Sequence, residues 1–379
     1  MTRSWQELEA IGRGAGLDVV GAASAEPFEA VEATLVERAE RGLQGSMQFT
    51  YRNPARSTDP ARTLPGVRTL IAGATSYHRD APPAPASPAA RVARYVWAND
   101  HERLLAGLQA IRAALVSDGH RACVVADQNH LVDRAVAHRA GLGWYGRNAN
   151  LLLPGRGSWY VLGTVLTDAE LADAPRPGPV EDGCGTCDRC APACPTGAIV
   201  APGVVDARRC LSWSLQTRGP FPRDQRVALG DRIYGCDECQ EVCPPNRREL
   251  RRSAPEGRGD PVPLGDPERA WVPVLELLDA DDATLLARYG RWYVPDREAR
   301  YLRRNALVVL GNVGDGRSPA VRSALARALA SHDPLLRSTA VWSARRLGCD
   351  DLLVAVTDDP DPEVRSELEL AVPRRGSDG

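Results

Sequence analysis

The chain has 379 residues, enough for two or three domains, and 43% of them are hydrophobic, enough for more than one core. With 47 basic against 49 acidic residues the formal net charge is -2, so no global field draws the chain to nucleic acid or to a membrane. No apolar run reaches the ~20 residues that span a bilayer, and the polar Met1 to Glu9 stretch lacks a signal-peptide core, so a cytoplasmic location is expected.

In chain order, Trp5 to Ala15 is helix-like, Leu17 to Ala22 reads as a short strand, and Pro27 to Gly42 is helical again. The turn residues Pro65 and Gly66 precede a β-rich run, Val67 to Ala74. Residues 80–90 are rich in Pro and Ala and read as a loop. An amphipathic helix spans His101 to Asp118, a strand runs from Arg121 to Asp127, and a helix covers Leu131 to Ala140. A Gly/aromatic turn, Gly141 to Gly146, leads to a last strand, Tyr160 to Leu166. Strands alternating with helices predict a layered α/β domain over residues 1–175. A Pro-, Asp- and Gly-rich linker over 170–183 leads into a cysteine-rich ferredoxin-like domain, residues 176–250. From there to 379 the pattern is helical. Pro319-Ala-Val-Arg322, Asp333-Pro-Leu-Leu-Arg337 and Asp361-Pro-Glu-Val-Arg365 share one frame there, and Arg304-Asn-Ala-Leu and Ser338-Thr-Ala-Val fall at similar points of their helices. HEAT-like helical pairs are predicted for 251–379, making the whole an α+β multidomain protein.

Ten cysteines in a reducing compartment point to metal or redox chemistry rather than disulfides. Eight of them fall between 184 and 243. The first run is Cys184-x2-Cys187-x2-Cys190-x3-Cys194-Pro195; the second is Cys210, then Cys236-x2-Cys239-x3-Cys243-Pro244. The first spacing is that of bacterial ferredoxins, in which the fourth cysteine crosses to the other cluster. One [4Fe–4S] cluster is therefore assigned Cys184, Cys187, Cys190 and Cys243, and the other Cys210, Cys236, Cys239 and Cys194. Zinc also uses C-x2-C pairs, but seldom C-x2-C-x2-C-x3-C-P. Cys123 and Cys349 stand apart in apolar contexts and read as core residues. Two clusters in series form an electron path, and about 180 residues precede them, room for a domain that holds a substrate or cofactor.

Several segments carry a closer resemblance. Leu131-Val-Asp-Arg-Ala135, Ala140-Gly-Leu-Gly-Trp144-Tyr-Gly-Arg-Asn148, Cys210-Leu-Ser-Trp213 and Arg232-Ile-Tyr-Gly-Cys236-Asp-Glu-Cys-Gln240 resemble the epoxyqueuosine reductases. The similarity runs over about residues 4–370. It implies an oxidoreductase that carries cobalamin in its N-terminal domain beside two [4Fe–4S] clusters. Such an enzyme reduces the epoxide of epoxyqueuosine, at the wobble base of certain tRNAs, to the alkene of queuosine. The substrate loses one oxygen as water and takes up two electrons and two protons. The departing oxygen needs a positioned general acid.

By position, the resemblance assigns that acid to Asp127, whose plainer alternative is to cap the helix after it. A carboxyl group against an apolar corrin face would be pushed up in pKa by desolvation. The rival carboxylate, Asp133, reads as half of an ion pair with Arg134. Arg56, Leu151, Ser212 and Asp237 match further cobalamin contacts; core packing is the alternative for Leu151, and a local turn hydrogen bond for Ser212. Many family members have Lys where this chain has Arg147, and either a phosphate contact or a surface role is open to it.

The expected partners are the anticodon stem-loop of tRNA and an external one-electron donor, with the protein a monomer. Arg247, Arg248, Arg251, Arg252, Arg300, Arg303 and Arg304 are candidate phosphate contacts. Trp213 and Tyr234 lie in segments that could stack a splayed base. Two other readings share some of the parts: another cobalamin and iron–sulfur reductase, such as a reductive dehalogenase, and a non-catalytic electron-transfer protein.

Overall fold

The computed structural model describes residues 3–86, 88–175, 177, 180–247 and 266–375. The chain folds into two compact units. The first comprises Met1–Asp80, Ala98–Arg208 and Glu238–Pro263, the second Ala81–Trp97, Arg209–Asp237 and Leu264–Gly379. Arg248, Arg251 and Arg252 lie outside the described residues.

The first unit is built on a four-stranded sheet, in the order Val19–Ser24, Thr69–Ser76, Tyr160–Thr167, Ala122–Val125. Every neighbouring pair is antiparallel, although helices separate the strands in sequence. The two central strands are buried along most of their length because both faces of the sheet are covered. Ile71 and Val165 turn to one face and meet Trp5, Leu8, Leu104, Leu108 and Ile111, from the helices Trp5–Gly14 and Asp100–Ser117. Leu70, Ala72 and Leu166 turn to the other and meet Phe28, Leu131, Val136 and Leu151. That alternation is the two-residue period of a strand. Burial of each large apolar side chain contributes about 1.5–3 kcal/mol. Ser4 and Glu7 form a capping box that starts the first helix.

The strand after Arg121 ends at Val125, before the expected Asp127, because the chain turns left-handed there: Asp127 has φ 52°. The helix that follows covers only Asp133–Arg139.

The second unit holds a three-stranded sheet, Arg232–Tyr234, Ala89–Val92 and Trp271–Pro273. Ala89–Val92 begins inside the stretch expected to be loop. Four residues beside a proline are too short for a two-residue period to register, and the strand exists because partners from distant sequence pair with both its edges.

The C-terminal repeat is helical as predicted, with helices Arg300–Val313, Pro319–Leu329, Pro334–Arg346 and Pro362–Glu369. The shared sequence frame marks helix starts. Proline takes the first helical position in three of them, and Asp333 and Asp361 cap the free N–H groups. The frame's arginines tie one repeat to the next: Arg337 pairs with Asp359 at 2.6 Å and Arg322 pairs with Asp351. Ser343 donates to the Leu307 carbonyl at 2.7 Å, locking two buried helices at their crossing. Among the described residues no helix is long and apolar enough to cross a membrane.

Candidate functional site

The first cysteine run folds as tight turns. The Cys187 amide donates to the Cys184 carbonyl at 2.9 Å, and Cys190 opens the short helix Cys190–Ala193. Cys243, after the helix Glu238–Glu241, comes to the same place. Burial first, and then the nearby Cys184, Cys190 and Cys187, push its thiol up to about 11. Burial raises Cys190 likewise, with Cys184 and Cys187 adding to the effect. Two thiols raised by burial and by neighbouring cysteines suit a site that cationic metal would occupy. Among the described residues no three His, Cys, Asp or Glu side chains close on one ion position; a cubane instead binds each thiolate through a different iron. Cys194 accepts from the Ala198 amide at 3.2 Å. Cys239 also lies in this unit, while Cys210 and Cys236 belong to the second.

The Gly/aromatic motif is a hairpin. Trp144–Tyr145 pairs with Leu151–Leu152, and a Cβ at Gly143 would overlap the Leu152 carbonyl. Its turn reaches both cysteine runs. The Arg147 guanidinium donates to the Gly185 carbonyl at 2.6 Å, between Cys184 and Cys187, and the Asn148 amide donates to the Cys239 carbonyl at 3.1 Å. On the other side Arg134 donates to the Ala149 carbonyl at 2.7 Å. Ala149 has φ 63°, a costly conformation for a residue with a Cβ.

A buried polar knot that sequence reasoning missed anchors the second run. Asn246 is fully buried. Its Oδ1 accepts from the Ser158 amide at 2.6 Å, while its Nδ2 donates to Ser158 Oγ at 3.0 Å and to the Gln240 carbonyl at 2.8 Å. Ser158 Oγ and the Tyr77 hydroxyl both donate to Gln240 Oε1, at 2.8 and 3.3 Å. Gly157 is required opposite, since a Cβ there would overlap Asn246 Oδ1. The available signal was a polar Asn and Gln flanking Cys243-Pro244 in an otherwise ligand-bearing segment.

Asp127 stands exposed on its turn and does not cap the helix, which starts six residues later at Val132–Asp133. Its backbone N–H donates to Asp133 Oδ2 at 3.2 Å. Asp133 is not ion-paired with Arg134, whose guanidinium is turned to Ala149. The residue keeps some exposure, but its carboxyl group is enclosed, and Oδ1 is buried with no hydrogen-bond partner among the described residues. Desolvation raises its pKa to about 8 against the lowering effect of the hydrogen bond from the Asp127 amide. The desolvated carboxyl group beside this turn is thus that of Asp133. Arg56 is exposed on the short helix Pro54–Ser57. Ser57 donates to the Asn129 carbonyl at 2.9 Å and Thr63 to the His130 carbonyl at 3.1 Å, so the Arg56 segment and the Asp127 turn share one rim. Leu151 is buried in the core of the sheet.

In the second unit Cys210 precedes the helix Leu211–Ser214, on which Ser212 and Trp213 are half-buried. The local hydroxyl-to-carbonyl bond belongs to Ser214, which donates to the Cys210 carbonyl at 3.2 Å. Asp237 is buried and accepts from the Arg94 amide at 2.7 Å. Tyr234 is buried and stacks on Trp292 at 4.6 Å, which removes it as a base-stacking platform. Arg304 is corrected too. It is fully buried and donates to the Thr217 and Gly219 carbonyls at 2.7 Å, so it braces the segment after Cys210 instead of binding phosphate. Arg300 pairs with Asp333 at 2.6 Å and Arg303 with Asp282 at 2.5 Å. Arg247 is exposed and donates to the Glu241 carbonyl at 3.1 Å. Cys349 is fully buried, as expected of a core residue, and Cys123 lies half-buried in its strand.

Two cysteine runs of ferredoxin spacing and a tail of capped helical repeats define an iron–sulfur redox protein of the double-cluster class. The family described as a 4Fe-4S double cluster binding domain matches residues 183–246, and HEAT repeats match 295–372. An epoxyqueuosine reductase of Bacillus cereus is 32% identical over 374 residues, 96% of this chain and 95% of the relative. The chain belongs to the epoxyqueuosine reductase family, a family of oxidoreductases. Similar solved structures include an epoxyqueuosine reductase with a tRNA-Tyr epoxyqueuosine-modified stem loop, at 28% identity and TM-score 0.84 over 96% of both chains. Another is the Bacillus subtilis enzyme with its aspartate-bearing catalytic loop swung out of the active site, at 28% identity and TM-score 0.81, again over 96% of both chains.

Proposed function

We propose that this chain reduces the epoxide of epoxyqueuosine, at the wobble position of tRNA, to the alkene of queuosine, the last step of queuosine biosynthesis. The observation that carries the reading is the similarity over 96% of both chains to a reductase in complex with the modified tRNA stem loop. Each turnover breaks two carbon–oxygen bonds, forms the alkene and releases water, consuming two electrons and two protons. The electrons come singly from an external donor through two [4Fe–4S] clusters. One is held by Cys184, Cys187, Cys190 and Cys243, a set supported by ligand spacing and by the nearness of Cys184 and Cys187 to the raised Cys190 and Cys243 thiols. Ligand spacing supports Cys194, Cys210, Cys236 and Cys239 for the other. The enzyme works as a cytoplasmic monomer, where its tRNA substrate resides.

Cobalamin is the cofactor that the resemblance implies and that residues of the first unit would hold. The rim where the exposed Arg56 and Asp127 segments join fits the amide-fringed edge of a corrin, with a guanidinium donor and a carboxyl group on adjoining backbone. The resemblance would add Leu151, Ser212 and the backbone at Asp237 as further contacts of a bound cobalamin. When bound, the cobalamin supplies a low-valent cobalt centre able to open a strained carbon–oxygen bond. Asp127 donates the proton that the departing oxygen needs. Its place on an exposed turn agrees with a relative whose catalytic loop, also bearing an aspartate, swings out of its site. Asp133 accepts the Asp127 amide and holds the turn.

The test is direct. Anaerobically reconstituted, cobalamin-loaded protein is given a reductant and epoxyqueuosine-containing tRNA, and the nucleosides are analysed by mass spectrometry. Queuosine is expected. Its absence from protein that holds both clusters and cobalamin overturns the assignment.

A further inference from the structure

The Arg147 side chain is the one cationic group of the hairpin that reaches into the first cysteine run. Its guanidinium donates to the carbonyl of Gly185, the residue that follows Cys184 and leads to Cys187. The turn cannot drift from this place. The Arg147 carbonyl accepts from the Gly203 amide at 2.9 Å, and Asn148 holds the Cys239 carbonyl. Among the described residues no carboxylate forms an ion pair with Arg147, so its charge is not locally cancelled. Arginine stays protonated throughout the working pH range.

A [4Fe–4S] cluster gains one negative charge when it takes an electron. Net charge, hydrogen bonding and exposure around the sulfurs set its reduction potential. A fixed cation bonded to the loop between two of its ligands favours the reduced form. We propose that Arg147 is a positioning residue that raises the reduction potential of the cluster held by Cys184, Cys187, Cys190 and Cys243. The inference rests on the ligand set proposed above. Together with Asn148 it gives the Gly-Trp-Tyr-Gly-Arg-Asn turn a part in electron transfer, and it accounts for a cation at this position that need not touch tRNA phosphate.

The experiment is an EPR-monitored redox titration of the protein with its clusters, using dithionite with viologen mediators so that each cluster takes one electron. Arg147→Gln is expected to lower the reduction equilibrium constant of one cluster about tenfold, a shift of about 59 mV for one electron, and to leave the other unchanged. Arg147→Lys restores most of the lost potential, because it keeps the charge without the planar fork. Iron and sulfide counts check that each variant keeps both clusters. Unchanged potentials in Arg147→Gln, or equal shifts in both clusters, overturn the proposal. Loss of iron from Arg147→Gln also overturns it, by assigning Arg147 a purely structural part. Absence of two [4Fe–4S] signals from the wild-type protein would instead sink the ligand assignment beneath it.

Discussion

The Asp127 turn and the Trp144–Leu152 hairpin lie in the same unit and are held in opposite ways. Asp127, Gln128 and Asn129 are exposed, and the Asp127 amide is retained by a single bond of 3.2 Å to Asp133. The hairpin is largely buried; Arg147 and Asn148 pin it to the Gly185 and Cys239 carbonyls, and Arg134 holds its Ala149 carbonyl. A proton donor that must meet a bulky substrate gains from a turn that can open. An electron path gains from ligands that do not move, since a cluster's potential follows its surroundings. With the proposed roles, the acid sits on an exposed turn and the electron path on a pinned hairpin, although fewer than 30 residues of sequence lie between them.

The sharpest way to break that separation is Asp127→Asn. Turnover should fall about 10²- to 10⁴-fold, the usual worth of a general acid, while iron content and thermal stability stay at wild-type levels. An equal loss of clusters would show that the turn and the electron path are not separable. Asn246→Ala probes the rigid side. It leaves the buried Ser158 amide without its partner, and unfolding by denaturant should show a loss of about 2 kcal/mol. A loss below about 0.5 kcal/mol would mean that the polar knot does not anchor the second cysteine run.

Asp133→Asn probes the tie at the Asp127 amide. Asp133 holds its proton to about pH 8 in the folded protein, against an ordinary value of 3.8. Its folded pKa lies above its unfolded one, so its contribution is complete below about pH 4 and is lost as pH rises to about 8. Wild-type stability should therefore fall between pH 5 and 8 relative to Asp133→Asn, at no more than about 1.4 kcal/mol per pH unit. Parallel stability curves for the two proteins would place that carboxyl group in water. The smallest effect is expected for Ala149→Gly. It relieves a left-handed alanine within the pinned turn and should stabilise the protein by about 1 kcal/mol or less, with cluster potentials unchanged.

Local spacing carried the cysteine runs, the turn motif and the repeat frame, because each is written within a few adjacent residues. Cys184, Cys187 and Cys190 are legible from sequence for that reason, and the helix starts at Pro319, Pro334 and Pro362 likewise. Asp133 was misread because a neighbour in sequence, Arg134, looked like its partner. Only the fold turns that arginine toward Ala149 and encloses the carboxyl group. Arg304 misled in the same way: a cation near the start of a helix looks solvated until the chain from 214 to 219 wraps its carbonyls around it.

By itself, then, the sequence determined the double-cluster segment, the helical tail and the family, since ligand spacing and helix caps act over three or four residues. The tertiary structure alone decided which charges are buried, which arginines brace carbonyls and which turn stays exposed. Burial and long-range hydrogen bonds depend on residues that are far apart in the chain, and no local pattern records them.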